Sequence, residues 1–575
     1  MFSYAFILVA LITVYYYHYL ITPRKQGSLP LPPGPRPLPL IGNLHQAPES
    51  HPWLQYFAWG QLYGSVVHLD MLGQSVIVIS SVEAAHDLLS KRGGALFGPS
   101  ADVGCCGTGT EGVAYAAEAI RLTVQAHLRN EVHQKMEAPL LSQASSLSYR
   151  PVFDLETKQL LLDLMSGSAE AGEAVGIDCY HHFERTTASS IYALVYGVRV
   201  ESHAYPPLLE ARAVQDEFTE MAQVGRYLVD SFPVLNRLPA FLAPWRHEAE
   251  THFRRQRGLH VGNLTRGLLQ HPSQTTTTTT TPASSWNFSK EMARSPEAAH
   301  MSTDELAFDL GIVADAALDT TTMSMDWFVV AWINSGSRTA SSASSSFVEK
   351  AQGLLDRVVG RERLPTYEDR PRLLYMDAIV EELLRWRPIA AAGIPHLTKA
   401  EDSYAGYRIP AGSVVVANYW ALARDPVYGE DPEAFTPERW VEESEAEGGG
   451  VDGTGVSRLK DLPSFAFGFG RRICPGRHIA RHSLWLQIAR LLWAFDIEKG
   501  VDTYDDEGGQ GRAVPAIDPF AATNGILSRP LPFRAVFKPR GPWAHDLIRR
   551  QCDTSDAKVE PLLDAIGKDR MRLES

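Results

Sequence analysis

One cysteine constrains this chain more than any other residue. It stands in Phe467-Gly-Phe-Gly-Arg-Arg-Ile-Cys-Pro-Gly476, a glycine-rich loop that runs into a helical pattern from Ile479 to Phe495. Glycines let backbone come close to something flat or bulky. Backbone N–H groups around Cys474, with the N-terminus of the next helix, favour the sulfur as thiolate. Arg472 adds a cation suited to carboxylates. The other cysteines, Cys105, Cys106, Cys179 and Cys552, read as structural, because five in 575 residues do not make a disulfide scaffold. A zinc site needs several Cys or His ligands at set spacing, and Cys474 has none.

A lone thiolate, a carboxylate-binding arginine and close backbone suit axial ligation of a haem bearing propionates. Here the chain resembles the cytochrome P-450 family of haem-thiolate monooxygenases. The signature FxxGxRxCxG is met at Phe467, Gly470, Arg472, Cys474 and Gly476. Glu382-Leu-Leu-Arg385 places a carboxylate and a guanidinium three apart on one helix face, where they pair. The resemblance joins them to Arg439 of Pro437-Glu-Arg-Trp440 in a buried network, and Asn418 to Pro426 is similar to the segment preceding that motif. Ala316-Ala-Leu-Asp-Thr-Thr321 lies in a long apolar helical pattern and is similar to the oxygen-activation motif (A/G)Gx(D/E)T, with Ala317 where glycine is common. Hydroxyl and carboxylate side chains there compete with the backbone ladder and open it. The resemblance makes Thr320 and Asp319 the pair that delivers protons to dioxygen, and sets Arg472 and His396 on the haem propionates. One element departs: Val113 to Gln134 contains no tryptophan for the WxxxR pattern, and Arg121 and Arg129 are only candidate substitutes for its arginine.

From Phe2 to Ile21 the chain is almost wholly apolar or aromatic, long enough for the roughly 30 Å of hydrocarbon, and Pro23, Arg24 and Lys25 end it. A signal peptide needs a basic n-region and a small-residue cleavage site, neither of which is visible. The reading is therefore a transmembrane anchor (2–22), a proline-rich hinge (23–43), a catalytic domain (44–540) and a polar C-terminal tail (541–575) expected to lack order. With Lys and Arg after its single span, the body is expected on the cytosolic side of the endoplasmic reticulum membrane. Tracts at Gln274 to Thr281, Asn334 to Ser346 and Glu442 to Gly455 look wrong for a packed core.

Helical periodicity dominates the body: Leu155 to Met165, His182 to Tyr196, Gln215 to Val229, Thr303 to Trp332, Val348 to Val359 and Leu374 to Trp386. Short strands are expected in Val66 to Ile79, Tyr407 to Ile409, Val414 to Ala417 and Phe533 to Phe537. The fold class is mainly α with small β-sheets, one large domain of the cytochrome P-450 fold behind its anchor. A formal charge of −13 argues against nucleic acid as a partner.

The function implied is insertion of one oxygen atom into a lipophilic small molecule. The cofactor implied is heme b on Cys474, with NADPH acting through NADPH-cytochrome P-450 reductase, since no flavin or nicotinamide fingerprint appears. Arg471, Arg477 and Arg481 are candidate docking cations for that partner. Gly98 to Val113, Tyr227 to Leu242, Ala316 to Thr320, Ile389 to Ile394 and Ala521 to Ile526 are candidate pocket walls. Tyr227 to Leu235 and Ala243-Pro-Trp245 look similar to fungal enzymes of the O-methylsterigmatocystin oxidoreductase type, which implies secondary metabolism. Two other readings stay open: an oxygen-independent haem-thiolate isomerase or dehydratase, and a catalytically impaired haem-binding relative.

Overall fold

The computed structural model describes residues 29–93, 130–172, 175–221, 238–269, 285–336, 346–443, 456–501 and 516–574, with positions 227, 229 and 235. The expected anchor, the Val113 to Arg129 departure and the tracts at 270–284, 337–345 and 444–455 lie outside them. Among the described residues no helix is long and apolar enough to cross a membrane.

Among the described residues fourteen α-helices longer than one turn follow the chain. They are α1 (Pro52–Tyr63), α2 (Asn130–Leu141), α3 (Gln143–Ser148), α4 (Arg150–Ala171), α5 (Tyr180–Tyr196), α6 (Pro206–Met221) and α7 (Pro244–Leu269), then α8 (Phe288–Arg294), α9 (Thr303–Gly336), α10 (Phe347–Val358), α11 (Leu374–Trp386), α12 (Arg477–Ala494), α13 (Pro542–Gln551) and α14 (Glu560–Glu574). At 1.5 Å per residue the 34 residues of α9 span about 51 Å, the longest beam of the fold. It packs along α5 and under α7, and its Trp327 and Phe328 are buried in a core shared with Trp485 and Trp493 of α12.

The sheets are peripheral. Strands β1 (Val66–Met71) and β2 (Gln74–Ile79) form a hairpin in which Val66 faces Ile79. β2 then pairs in parallel with β6 (Val414–Ala417), and β6 pairs antiparallel with β3 (His396–Leu397). Two-stranded pairs are made by β4 (Asp402–Tyr404) with β5 (Tyr407–Ile409), β7 (Val441–Glu443) with β8 (Val456–Leu459), and β9 (Phe495–Lys499) with β10 (Ala535–Pro539).

Three helical expectations need revision. The Gln215 to Val229 segment is instead α6, which opens on Pro206 and Pro207, residues pre-set for a first turn. The 26 residues of α7 escape the periodicity because their buried stripe includes His252, Gln256, His260 and Asn263 among apolar residues. The tail is not disordered. Leu547, Ile548, Cys552, Val559, Leu563 and Ile566 are sparse but fall on one side, and all are buried. Arg199 donates to the Thr554 carbonyl at 2.8 Å, and Arg570 of α14 donates to Ser145 Oγ at 2.7 Å.

Candidate active site

The cysteine loop is drawn tight by its own backbone. Cys474 N donates to the Phe467 carbonyl at 2.7 Å, folding the segment so that the sulfur lies just ahead of α12. Gly470 has φ +58°, and a Cβ there would fall 2.4 Å from the Leu89 carbonyl oxygen, so no other residue fits this close pass without a shift. The Cys474 side chain is half-buried and free of any disulfide. Burial pushes its thiol above the ordinary value; backbone N–H groups of Gly476 and Arg477 and the Arg477 guanidinium oppose it. A metal ligated at this sulfur would add positive charge there and favour the thiolate. Among the described residues no group of His, Cys, Asp and Glu is placed to hold a bare metal ion. A metal bound by this sulfur must bring the rest of its ligands with it, as iron porphyrin does.

The loop also brings its own Arg472, which is exposed, near His396. Arg472 follows Gly470 in a single 3₁₀ turn, and His396 lies on β3. Burial first, and the Arg472 guanidinium second, push the His396 imidazole down to about 4. A neutral donor beside a fixed cation fits a carboxylate. Of the other signature positions, Phe467 lies 4.8 Å under the Arg481 guanidinium and Gly476 caps α12.

The network behind the loop is built on α11. Glu382 is fully buried and takes both Nε and Nη2 of Arg385, each at 2.8 Å. Arg439 Nε reaches the same carboxylate at 3.0 Å, Thr436 N at 2.8 Å and Trp440 Nε1 at 2.9 Å. Arg385 spends its remaining donors on the carbonyls of Ala423, Pro432 and Ala434. The Trp440 and Thr436 bonds have no signal in the spacing of charged residues; they follow from the turn that presents Arg439.

Thr320 and Asp319 sit in the middle of α9, half-buried. Thr320 Oγ1 donates back to the Ala316 carbonyl at 2.8 Å, and Thr322 and Ser324 bond backwards in the same way. The helix continues through them, so these hydroxyls share the ladder rather than break it. Asp319 is pushed up to about 6, mainly by burial and then by Asp216, against Arg529, a hydrogen bond from Gln215, and Arg212. Asp216, Gln215 and Arg212 lie on α6, and Arg529 comes from a loop over two hundred residues further on. No local pattern connects these residues, so sequence reading does not find them.

The candidate docking cations differ. Arg471 is exposed, Arg477 is half-buried and donates to the Cys474 carbonyl, and Arg481 is held by Glu381 at 2.7 Å.

The profile of the family described as cytochrome P450 matches residues 32–517 of this sequence. The chain is 33% identical to the cytochrome P450 monooxygenase FrzL of a Cladobotryum species, over 95% of its own length and 94% of that protein. It is 34% identical to the cytochrome P450 monooxygenase aneD of Aspergillus aculeatus, over 93% of each chain. To the cytochrome P450 monooxygenase peniB of Penicillium patulum it is 33% identical, over 91% of this chain and 87% of that one.

Proposed function

The chain belongs to the cytochrome P450 family of haem-thiolate monooxygenases, and on that premise we propose that it hydroxylates a lipophilic small molecule in a fungal secondary-metabolic route. The family binds haem through a cysteine thiolate and draws electrons from NADPH through a reductase. The overall change is RH + O2 + 2 electrons + 2 protons to ROH + H2O. The observation that carries the reading is the Cys474 sulfur, set by the Phe467 bond at the head of α12.

Bound haem supplies the oxygen-activating and electron-accepting chemistry. Cys474 Sγ would hold its iron, and Arg472 with His396 would take its propionates. Asp319, pushed up to about 6, can take up and release a proton near neutral pH, and the Thr320 hydroxyl stands beside it on the same half-exposed face of α9. The Glu382, Arg385 and Arg439 network fixes the segment before the loop, so the sulfur does not wander. Arg471 and Arg477 present positive charge beside that loop to an acidic reductase surface.

The apolar run from Phe2 to Ile21, and the Arg24 and Lys25 that follow, support a single-pass anchor in the endoplasmic reticulum with a cytosolic catalytic domain. Apolar segments at Ala316 to Ala317 and Ile389 to Ile394 support a lipophilic substrate. The fungal sources of the relatives, with the resemblance at Tyr227 to Leu235, support the metabolic assignment.

The test is the carbon monoxide spectrum of the reduced, full-length holoprotein, followed by NADPH and oxygen uptake with a reductase. A thiolate-type Soret band that disappears in Cys474→Ala, together with substrate-dependent oxygen uptake, is expected. A folded wild-type protein that binds haem without that band overturns the assignment.

A further inference from the structure

Along α9 the half-exposed residues are 312, 313, 315, 316, 317, 319, 320 and 323, whereas 311, 314, 318, 321, 322 and 325 are buried. At 100° per residue the exposed set forms one arc centred near Ala316, with Asp315 at its edge and Asp319 between them. Asp315 therefore borders the same wall as Thr320, one helical turn before Asp319.

Across from it stands His260 of α7, with 1% of its surface exposed. Its ring stacks on Phe308 at 5.0 Å and fills the notch over Gly311, where a Cβ would come within 1.4 Å of Nδ1. Nε2 lies 3.4 Å from Asp315 Oδ2, yet neither ring nitrogen makes a hydrogen bond. The groups facing Asp315 are His260, Asp319 on its own helix, and Tyr192 and Tyr196 of α5, with Asn263 and Arg266 of α7 beside those tyrosines. Arg212 and Arg529 act on Asp319, whereas among the described residues no arginine or lysine opposes the upward push on Asp315. A carboxyl so enclosed by α5, α7 and α9, with no counter-ion among the described residues, is costly to ionise, and a ligand cation offsets that cost.

We propose that Asp315, walled in by His260, is a specificity-determining residue that selects lipophilic substrates carrying a basic nitrogen. This rests on the monooxygenase reading and narrows its substrate class. The electrostatics agree: burial and Asp319 push Asp315 up to about 8, while burial pushes His260 down to about 4. The imidazole is thus neutral, and a bound cation draws Asp315 into its charged form.

The experiment is a Soret titration of holoprotein with two probes: a phenylbutyl trimethylammonium ion, which cannot ligate iron, and its neutral tert-butyl isostere. Wild type is expected to bind the cation about tenfold more tightly, and Asp315→Asn to bind both alike. No preference in wild type, or a preference retained in Asp315→Asn, overturns the proposal. Should the variant not fold, the wild-type cation-to-neutral ratio decides: it must rise with pH through about 8, and a flat ratio overturns the proposal equally. The reduced carbon monoxide spectrum, taken on the same samples, reports the haem-thiolate reading separately.

Discussion

Arg439 closes on Glu382 across 57 positions of sequence, its Nε 3.0 Å from Oε1, while Arg385 holds both oxygens of the same carboxylate from within the helix. One fully buried anion thus serves two cations, whose remaining donors go to backbone carbonyls. Removing a single member of such a set leaves uncompensated charge, at a cost of about 3–5 kcal/mol. Glu382→Ala is therefore expected to lower the urea unfolding midpoint sharply and to reduce recovery of haem-bearing protein. An unchanged midpoint would show that the carboxylate is dispensable.

How far the sequence predicts this site depends on how local each contact is. Glu382 and Arg385 lie three apart on a helix, so their pairing follows from helical geometry alone. The bend at Gly470 and the position of Cys474 follow from glycine's freedom and the helix beyond. The surroundings of Asp319 do not, since Asp216, Arg212 and Arg529 arrive from distant segments by tertiary packing. Helix α7 illustrates a second limit: His260 is buried by stacking on Phe308 over Gly311 and Asn263 by meeting Tyr192 of α5, and a search for apolar periodicity passes over both. In α13 and α14 the apolar residues are too few to register, yet the core they meet is already built.

That welded C-terminus makes its own prediction. Arg570 is 4% exposed; it donates to Ser145 Oγ at 2.7 Å and the Pro139 carbonyl at 3.3 Å, lies 3.7 Å from Glu291 and stacks over Trp286. Arg570→Ala removes a charged donor from buried Ser145 Oγ and the packing over Trp286, so a loss of about 1–3 kcal/mol is expected in chemical denaturation. Hydrogen exchange should rise in α3 and α14 together, whereas exchange confined to α14 would mean that the helix only rests on the body.

Stability should also fall with pH for a reason specific to α9. Asp326 is 3% exposed, accepts a long contact from the Cys179 thiol at 3.7 Å, and is pushed up to about 8 by burial, with Arg529 opposing. Its folded value lies above the ordinary 3.8, so the native state holds the proton more tightly than the unfolded chain does. The group is without effect below about pH 4, and between there and about 8 it removes about 1.4 kcal/mol of stability per pH unit. Asp326→Asn should flatten that decline and unfold at higher denaturant than wild type at pH 8, while matching it near pH 4. A parallel decline in both proteins would place the dependence elsewhere.

Arg529 sets the remaining expectation. Its guanidinium lies 4.0 Å over the Tyr180 ring and opposes the upward push on both Asp319 and Asp326. Replacing it by glutamine removes a positive charge near two buried carboxyls and leaves desolvation less opposed, so both move further up. The ionisation of Asp319 should then appear above about 6 in the pH profile of turnover, with more of the consumed NADPH diverted from product as proton delivery loses its timing. Lysine at 529 retains the charge but not the flat stacking on Tyr180, and it should restore the profile in part. A merely structural arginine would change expression or stability and leave the position of that ionisation where it is, and the glutamine and lysine variants separate those two cases.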